Sequence, residues 1–213
     1  MRRPRILIAE DHLIVADGLR RLLEPDFDVL EVVSNGRDLI RRSDQLRPDA
    51  ILVDIGLPLM NGLEAARRIK KLELRAKIVF LTGNADIVVA TEAIRLGAAG
   101  YVLKEAAADE LLNAIREALN GGTYVTPRIA TEVLDNLVRS EGKDQNGPLN
   151  LTNRERDVLQ LLAEGRSYKE MAQLLKISPR TVEFHKENLM VKTGLRTTAE
   201  LARYAARHGV VAD

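Results

Sequence analysis

The chain has 213 residues, 46% of them apolar, with no Cys, three His and a formal net charge of +1. That length suits one large domain or two small ones, and the composition excludes disulfides and Cys-ligated metals. Three scattered His argue against a zinc site, and no apolar run approaches the ~18 residues of a membrane span. The basic and then apolar start, "MRRPRILIAED", meets acids too soon to be a secretory signal. A soluble cytoplasmic protein without a membrane partner is expected.

Five short apolar runs recur in the first 120 residues. They are "RILIA" (5–9), "DVLEVV" (28–33), "AILVD" (50–54), "KIVFLT" (77–82) and "GYVLK" (100–104). Near-continuous apolarity of strand length fits parallel strands covered on both faces. Helical patterns lie between them. In residues 13–24, Leu13, Ala16, Leu19, Leu22 and Leu23 fall on one predicted stripe. Strands alternating with helices predict a doubly wound α/β sheet of five parallel strands in the order 2-1-3-4-5.

Residues 123–140 carry one more short helix, starting near Pro127 with Thr126 as its cap. The polar stretch "EGKDQNGPLN" (141–150) reads as an interdomain linker. Four helices are then predicted, at 151–165, 167–176, 178–194 and 197–209. Thr152 with Glu155, and Ser167 with Glu170, have the spacing of capping boxes. Ser178, Pro179 and Gly194 bound the third helix. The expected organisation is a first domain over 1–122, a linker with a short helix over 123–149, and an all-α domain over 150–213. The last of these holds 11 Lys/Arg against 8 Asp/Glu, net +3, which gives weak support for a nucleic-acid partner.

The ends of the strands hold the polar residues. Strand one ends in Glu10 and Asp11, strand three in Asp54, strand four in Thr82 and strand five in Lys104. In the predicted order all of them meet at the carboxyl edge, where ligands of such sheets bind. Carboxylates so close repel one another. Mg²⁺ removes that repulsion, prefers oxygen ligands and brings phosphate oxygens with it. A carboxylate can also attack phosphorus to give an aspartyl phosphate. Asp54, alone at the end of the central strand, is the candidate nucleophile. Glu10 and Asp11 would hold the metal, Lys104 would offset phosphoryl charge, and Thr82 would donate a hydrogen bond.

These residues, in the settings "AEDH", "DIGLPLMNG", "LTG" and "GYVLKE", resemble a response-regulator receiver domain over residues 1–122. The resemblance implies that Asp54 accepts phosphate from a sensor histidine kinase. It implies Mg²⁺ held by Asp11, Asp54, the carbonyl of Gly56 and, through water, Glu10. It also implies Thr82 and Tyr101 as a switch pair, in which the hydroxyl moves toward the phosphoryl group and the ring turns inward. Pro58 and Gly62 match the turn after the phosphorylated strand. Glu105 departs from the family, which commonly has Pro or Asp after the lysine. Gly56 and Asn84 lie two positions beyond Asp54 and Thr82, and should influence the dephosphorylation rate.

Residues 150–213 resemble the LuxR-type helix-turn-helix of NarL/FixJ response regulators. Residues 167–175 would be the supporting helix and 179–193 the recognition helix, which such motifs place in the DNA major groove. Val182, Leu189 and Val191 are expected to pack inward. Carried over by position, Arg180, Glu183, Phe184 and Glu187 would face bases, while Thr181, Lys186 and Lys192 would contact phosphates. His185 is expected to be buried or semi-buried. The resemblance implies a transcription regulator that is inhibited when unphosphorylated, binds double-stranded DNA as a homodimer when phosphorylated, and dimerises through its last helix.

Two other functions fit parts of the pattern. A Mg²⁺-dependent phosphatase could use the same Asp nucleophile, but needs a general acid where this chain has Gly56. A DNA-binding regulator indifferent to phosphate would not need the complete acidic pocket. Enzymatic activity beyond slow self-dephosphorylation is not expected.

Overall fold

The computed structural model describes residues 2–83, 85–106, 108–139, 151–208 and 210–211. The expected linker at 141–150 and Asn84 lie outside the described residues. The chain divides into two compact units, 1–141 and 142–213.

The first unit alternates strands and helices: β1 (Arg5–Ala9), α1 (Leu13–Leu23), β2 (Asp28–Val33), α2 (Gly36–Leu46), β3 (Ala50–Asp54), α3 (Gly62–Lys70), β4 (Lys77–Thr82), α4 (Ile87–Arg95), β5 (Gly100–Leu103), α5 (Ala108–Leu119), β6 (Tyr124–Val125) and α6 (Pro127–Arg139). The strands form one parallel sheet in the order β2-β1-β3-β4-β5-β6. This is the flavodoxin-like doubly wound fold. The sheet has six strands and not five, because Tyr124 and Val125 add a short edge strand beside β5.

Successive side chains of a strand point to opposite faces, and the core divides accordingly. Ile6, Ile8, Leu52, Val79 and Val102 pack with α1 and α5 through Leu19, Leu23, Leu111 and Ile115. Leu7, Val53, Phe80, Tyr101 and Leu103 pack on the other face with α2, α3 and α4. Helix α6 joins that second layer, packs on α4 and buries Ile129 and Val133. Residues 124–139 are therefore built into the first unit, beyond the expected boundary at 122. Leu13 was expected on the buried stripe of α1, yet it is 83% exposed. It occupies the first helical position, ahead of the turns that the sheet covers.

The second unit holds α7 (Asn153–Ala163), α8 (Tyr168–Leu175), α9 (Pro179–Thr193) and α10 (Thr198–Arg207). Helix N-termini leave unpaired N–H groups that a nearby oxygen must accept. Thr152–Glu155 and Ser167–Glu170 satisfy them as capping boxes, and Thr197–Glu200 is a third such box. Ser178 caps α9, and Gly194 ends it with φ 70°. Val158, Leu162, Met171, Leu175, Val182, Leu189 and Leu201 form the buried interior.

Glu155 is buried and accepts from Lys192 Nζ at 2.7 Å, besides capping α7. Burial alone would raise its pKa, but the bonds from Lys192 and Thr152 prevail and hold it below the ordinary Glu value. A depressed carboxylate pKa stabilises the fold above the unfolded pKa, and the gain is lost as pH falls through the folded one. We expect Glu155→Gln to cost about 2 kcal/mol at neutral pH, between exposed and buried pairs. Urea unfolding of the second unit should show that loss shrinking toward zero in acid. A loss constant with pH would disprove the charge effect.

Candidate phosphoacceptor pocket and nucleic-acid helix

The parallel register puts the strand ends on one edge. Asp54 pairs with Leu81, beside Thr82, and Thr82 pairs with Leu103, beside Lys104. Lys104 N donates to Thr82 O at 2.7 Å and so continues the ladder. Glu10 directly follows β1 and donates its N–H to Val33 O at 2.9 Å. The loop after β3 returns tightly, because Gly62 N donates to Ile55 O at 2.9 Å and Asn61 caps α3. A Cβ on Gly62 would lie 2.2 Å from Asp54 O. Only glycine allows that approach, which seats α3 against the strand carrying Asp54.

Glu10, Asp54 and Lys104 converge. Lys104 Nζ lies 2.8 Å from Asp54 Oδ2 and 2.7 Å from Glu10 Oε2. Glu10 and Asp54 are buried. Burial alone would lower the Lys104 pKa, but its bonds to Asp54 and then Glu10 raise it above the ordinary Lys value. Gly56 N donates to Asp54 Oδ1 at 3.2 Å, which fixes the carboxylate from its other side.

Ligand atoms of Glu10, Asp11, His12 and Asp54 all lie within 4.8 Å of one another. His12 was not among the expected site residues. Its Nδ1 is 3.1 Å from Glu10 Oε1 and 3.2 Å from Asp11 Oδ1. The signal for it was adjacency, since it follows the two acids directly. Thr82 and Tyr101 are both buried, and the Thr82 side chain is hydrogen-bonded to the Tyr101 phenol. Tyr101 is fully enclosed, with its ring inward. Burial foremost, and then the Asp86 charge, push its pKa well up despite the Thr82 bond.

The second group of expected residues lies on α9. Arg180, Glu183, Phe184 and Glu187 are exposed, and Phe184 keeps 57% of its surface in solvent. Val182 and Leu189 are fully buried on the opposite side. Val191 was expected to pack inward but is 82% exposed. It stands eleven residues after Arg180, about three turns at 3.6 residues per turn, so it shares the outward face. His185 is partly buried, its ring edge-on to Phe184. Thr181 Oγ1 is 2.8 Å from Ser178 Oγ, at the helix cap. The two lysines are engaged within the unit. Lys186 Nζ donates to Tyr168 OH at 2.7 Å, and Lys192 Nζ to Glu155.

Residues 6–116 match the response regulator receiver domain family, and residues 149–205 match the bacterial regulatory proteins of the luxR family. The chain is a response regulator. MctR of Rhizobium johnstonii, a transcriptional regulatory protein, is 36% identical over 97% of this regulator and 95% of its own length. LnrK of Bacillus subtilis, also a transcriptional regulatory protein, is 33% identical over 97% and 98%. Among solved structures, RcsB of Salmonella typhimurium is 26% identical and aligns with a TM-score of 0.66 over 98% of this regulator and 99% of that chain. RcsB bound to promoter DNA with the phosphomimetic BeF₃⁻ aligns with a TM-score of 0.62 at 26% identity, over 95% and 98%.

The regulator is thus a two-component transcriptional regulator with a receiver and a luxR-type DNA-binding domain. Its family consists of DNA-binding regulators and not of classical enzymes. Receiver domains bind Mg²⁺ at an acidic pocket, and the response regulator carries such a pocket at Glu10, Asp11 and Asp54. Among its described residues, no helix is long and apolar enough to cross a membrane.

Proposed function

We propose that Asp54 accepts a phosphoryl group from a sensor histidine kinase, and that this modification releases α9 for dimeric binding of double-stranded DNA. The observation that carries the reading is the convergence of Asp54, Glu10, Asp11 and Lys104 at one sheet edge, with Lys104 bonded to Asp54 at 2.8 Å. Three carboxylates with hard oxygen donors suit Mg²⁺. Asp11, Asp54, the Gly56 carbonyl and, through water, Glu10 would hold it, and the bound ion would offset charge on the phosphoryl oxygens.

The chain's own groups do the rest. Asp54 presents Oδ atoms already oriented by Lys104 and by Gly56 N–H. Lys104 remains cationic and faces the oxygens that gain charge in transfer. Thr82 supplies a hydroxyl, and Tyr101 stands behind it as the partner whose packing reads its position. Slow hydrolysis of the aspartyl phosphate would serve as a timer. The reading keeps a receiver over 1–122, a linker over 123–149 whose short helix α6 packs on the receiver, and the DNA-binding domain over 150–213. It assumes a cytoplasmic protein, and α10 is the proposed dimer contact of the DNA-binding domain.

The test is intact-mass measurement after incubation with Mg²⁺ and acetyl phosphate. Wild-type protein should gain a single phosphoryl group, and Asp54→Asn none. Uptake by the variant would remove Asp54 from the reading.

On DNA, Arg180, Glu183, Phe184 and Glu187 would face base edges. Thr181 would contact the backbone, and so would Lys186 and Lys192 after leaving Tyr168 and Glu155. A carboxylate can accept from cytosine N4, while it repels phosphate. We expect Glu183→Ala to relax preference at a base position by about 1–3 kcal/mol. Selection from random DNA on both proteins measures this, and identical preferences would make Glu183 a plain surface residue.

A further inference from the structure

The residues on both sides of Lys104 are held by the start of α6. The residue before it, Leu103, donates its N–H to Thr126 Oγ1 at 3.2 Å. The residue after it, Glu105, is ion-paired with Arg128. Thr126 directly precedes α6, where it was expected to cap the helix, and its hydroxyl also reaches across to the end of β5. Thr126 is buried, and its own N–H donates to Tyr101 O at 3.0 Å. A three-residue stretch at the head of α6 therefore touches the backbone of Tyr101, the backbone of Leu103 and the carboxylate of Glu105.

The body of the same helix rests on α4, with Ile129 and Val133 in the core layer that α4 completes. Helix α4 follows the loop that leaves Thr82. Helix α6 is thus seated on both arms of the pocket: the β5 arm carries Tyr101 and Lys104, and the β4–α4 arm carries Thr82. Beyond α6 the chain runs on to the second unit.

We propose that Thr126, Arg128 and Glu105 are positioning residues that clamp Lys104 to α6, so that a shift of the β5 end on phosphorylation is passed to the helix leading to the DNA-binding unit. The inference deepens the reading of Asp54 as phosphoacceptor and rests on it. Glu105, the departure from the usual residue after the lysine, acquires a role in this account. It gives α6 a charged hold that Pro would lack and that the shorter Asp would reach less far to make. Linkage makes the coupling reciprocal: DNA bound to the second unit should favour the phosphorylated arrangement of β5.

The strengths of the two holds differ. Glu105 and Arg128 are largely exposed, so their pair is a weak strap. The Thr126 hydroxyl satisfies a buried N–H, and losing it leaves a buried donor unpaired. Thr126 should therefore dominate the coupling.

The experiment uses the full chain and a fluorescent duplex recovered by selection from random DNA. The quantity read is the factor by which Mg²⁺ with acetyl phosphate tightens binding, with phosphoryl uptake followed by mass in parallel. Thr126→Val should cut that factor about fivefold, and Thr126→Ser should restore it. Arg128→Glu should cut it about threefold, and the charge swap Glu105→Arg with Arg128→Glu should recover it. A merely structural role for Thr126 would lower thermal stability without changing the factor. A wild-type factor in both Thr126→Val and Arg128→Glu, with uptake intact, overturns the clamp and leaves the phosphoacceptor reading standing. Absence of uptake in the wild type overturns both, and the mass measurement tells the two failures apart.

Discussion

Gly62→Ala is expected to lower the stability of the first unit by about 3 kcal/mol, the cost of forcing a methyl into filled space. The added Cβ meets Asp54 O at 2.2 Å and a Val53 methyl carbon at 3.0 Å. Neither can give way easily. Val53 and Asp54 belong to the central strand, paired on one side with β1 and on the other with β4. Gly62 itself is tied by its N–H to Ile55 O. The contrast is Gly18→Ala in α1, where a Cβ meets nothing within 4 Å. That change should be neutral or stabilising by up to about 1 kcal/mol, as expected for glycine in a helix. Urea titrations of both variants measure the difference. Equal midpoints would mean that the approach of α3 to Asp54 relaxes freely.

Lys104→Ala should slow phosphoryl uptake from acetyl phosphate about a hundredfold, the scale of losing one preorganised charge partner. The ammonium bridges Asp54 and Glu10, at 2.8 and 2.7 Å. Removing it leaves two buried carboxylates beside Asp11 without that counter-charge, and takes away the group facing the phosphoryl oxygens. Time courses by mass spectrometry give the rate. A rate within about twofold of wild type would show that Lys104 neither orients Asp54 nor stabilises transfer.

The pocket was legible because strand ends are marked twice in the sequence. An apolar run stops, and a polar residue follows at the stop, as at Ala9–Glu10 and Leu103–Lys104. The parallel order then brings those ends together without further information. Strand β6 carried no such mark. Tyr124 and Val125 form a two-residue strand, too short to show a period, and only the free edge of β5 makes it one. The seating of α6 on α4 was hidden for a related reason. Its apolar positions Ile129 and Val133 show that one face is buried, but not against what.

Leu13 and Val191 were misplaced by reading apolar residues as core residues. Exposed apolar side chains are common on folded surfaces, and position along the helix decides their side. Lys192 illustrates a different limit. Position in the resembling family suggested a phosphate contact, and in the unbound chain the buried carboxylate of Glu155, 37 residues earlier, holds its ammonium. The capping box that identified Glu155 left one carboxylate with a second task, which only the packing of α7 on α9 reveals.

The central claim is that the state of Asp54 sets DNA affinity. The most direct test is fluorescence anisotropy of a selected duplex with the full chain and with Asp54→Asn, each with and without Mg²⁺ and acetyl phosphate. The account predicts that the donor tightens binding by the wild type and leaves the variant unchanged. Equal affinity of phosphorylated and unphosphorylated wild type, with the modification verified by mass, would contradict it.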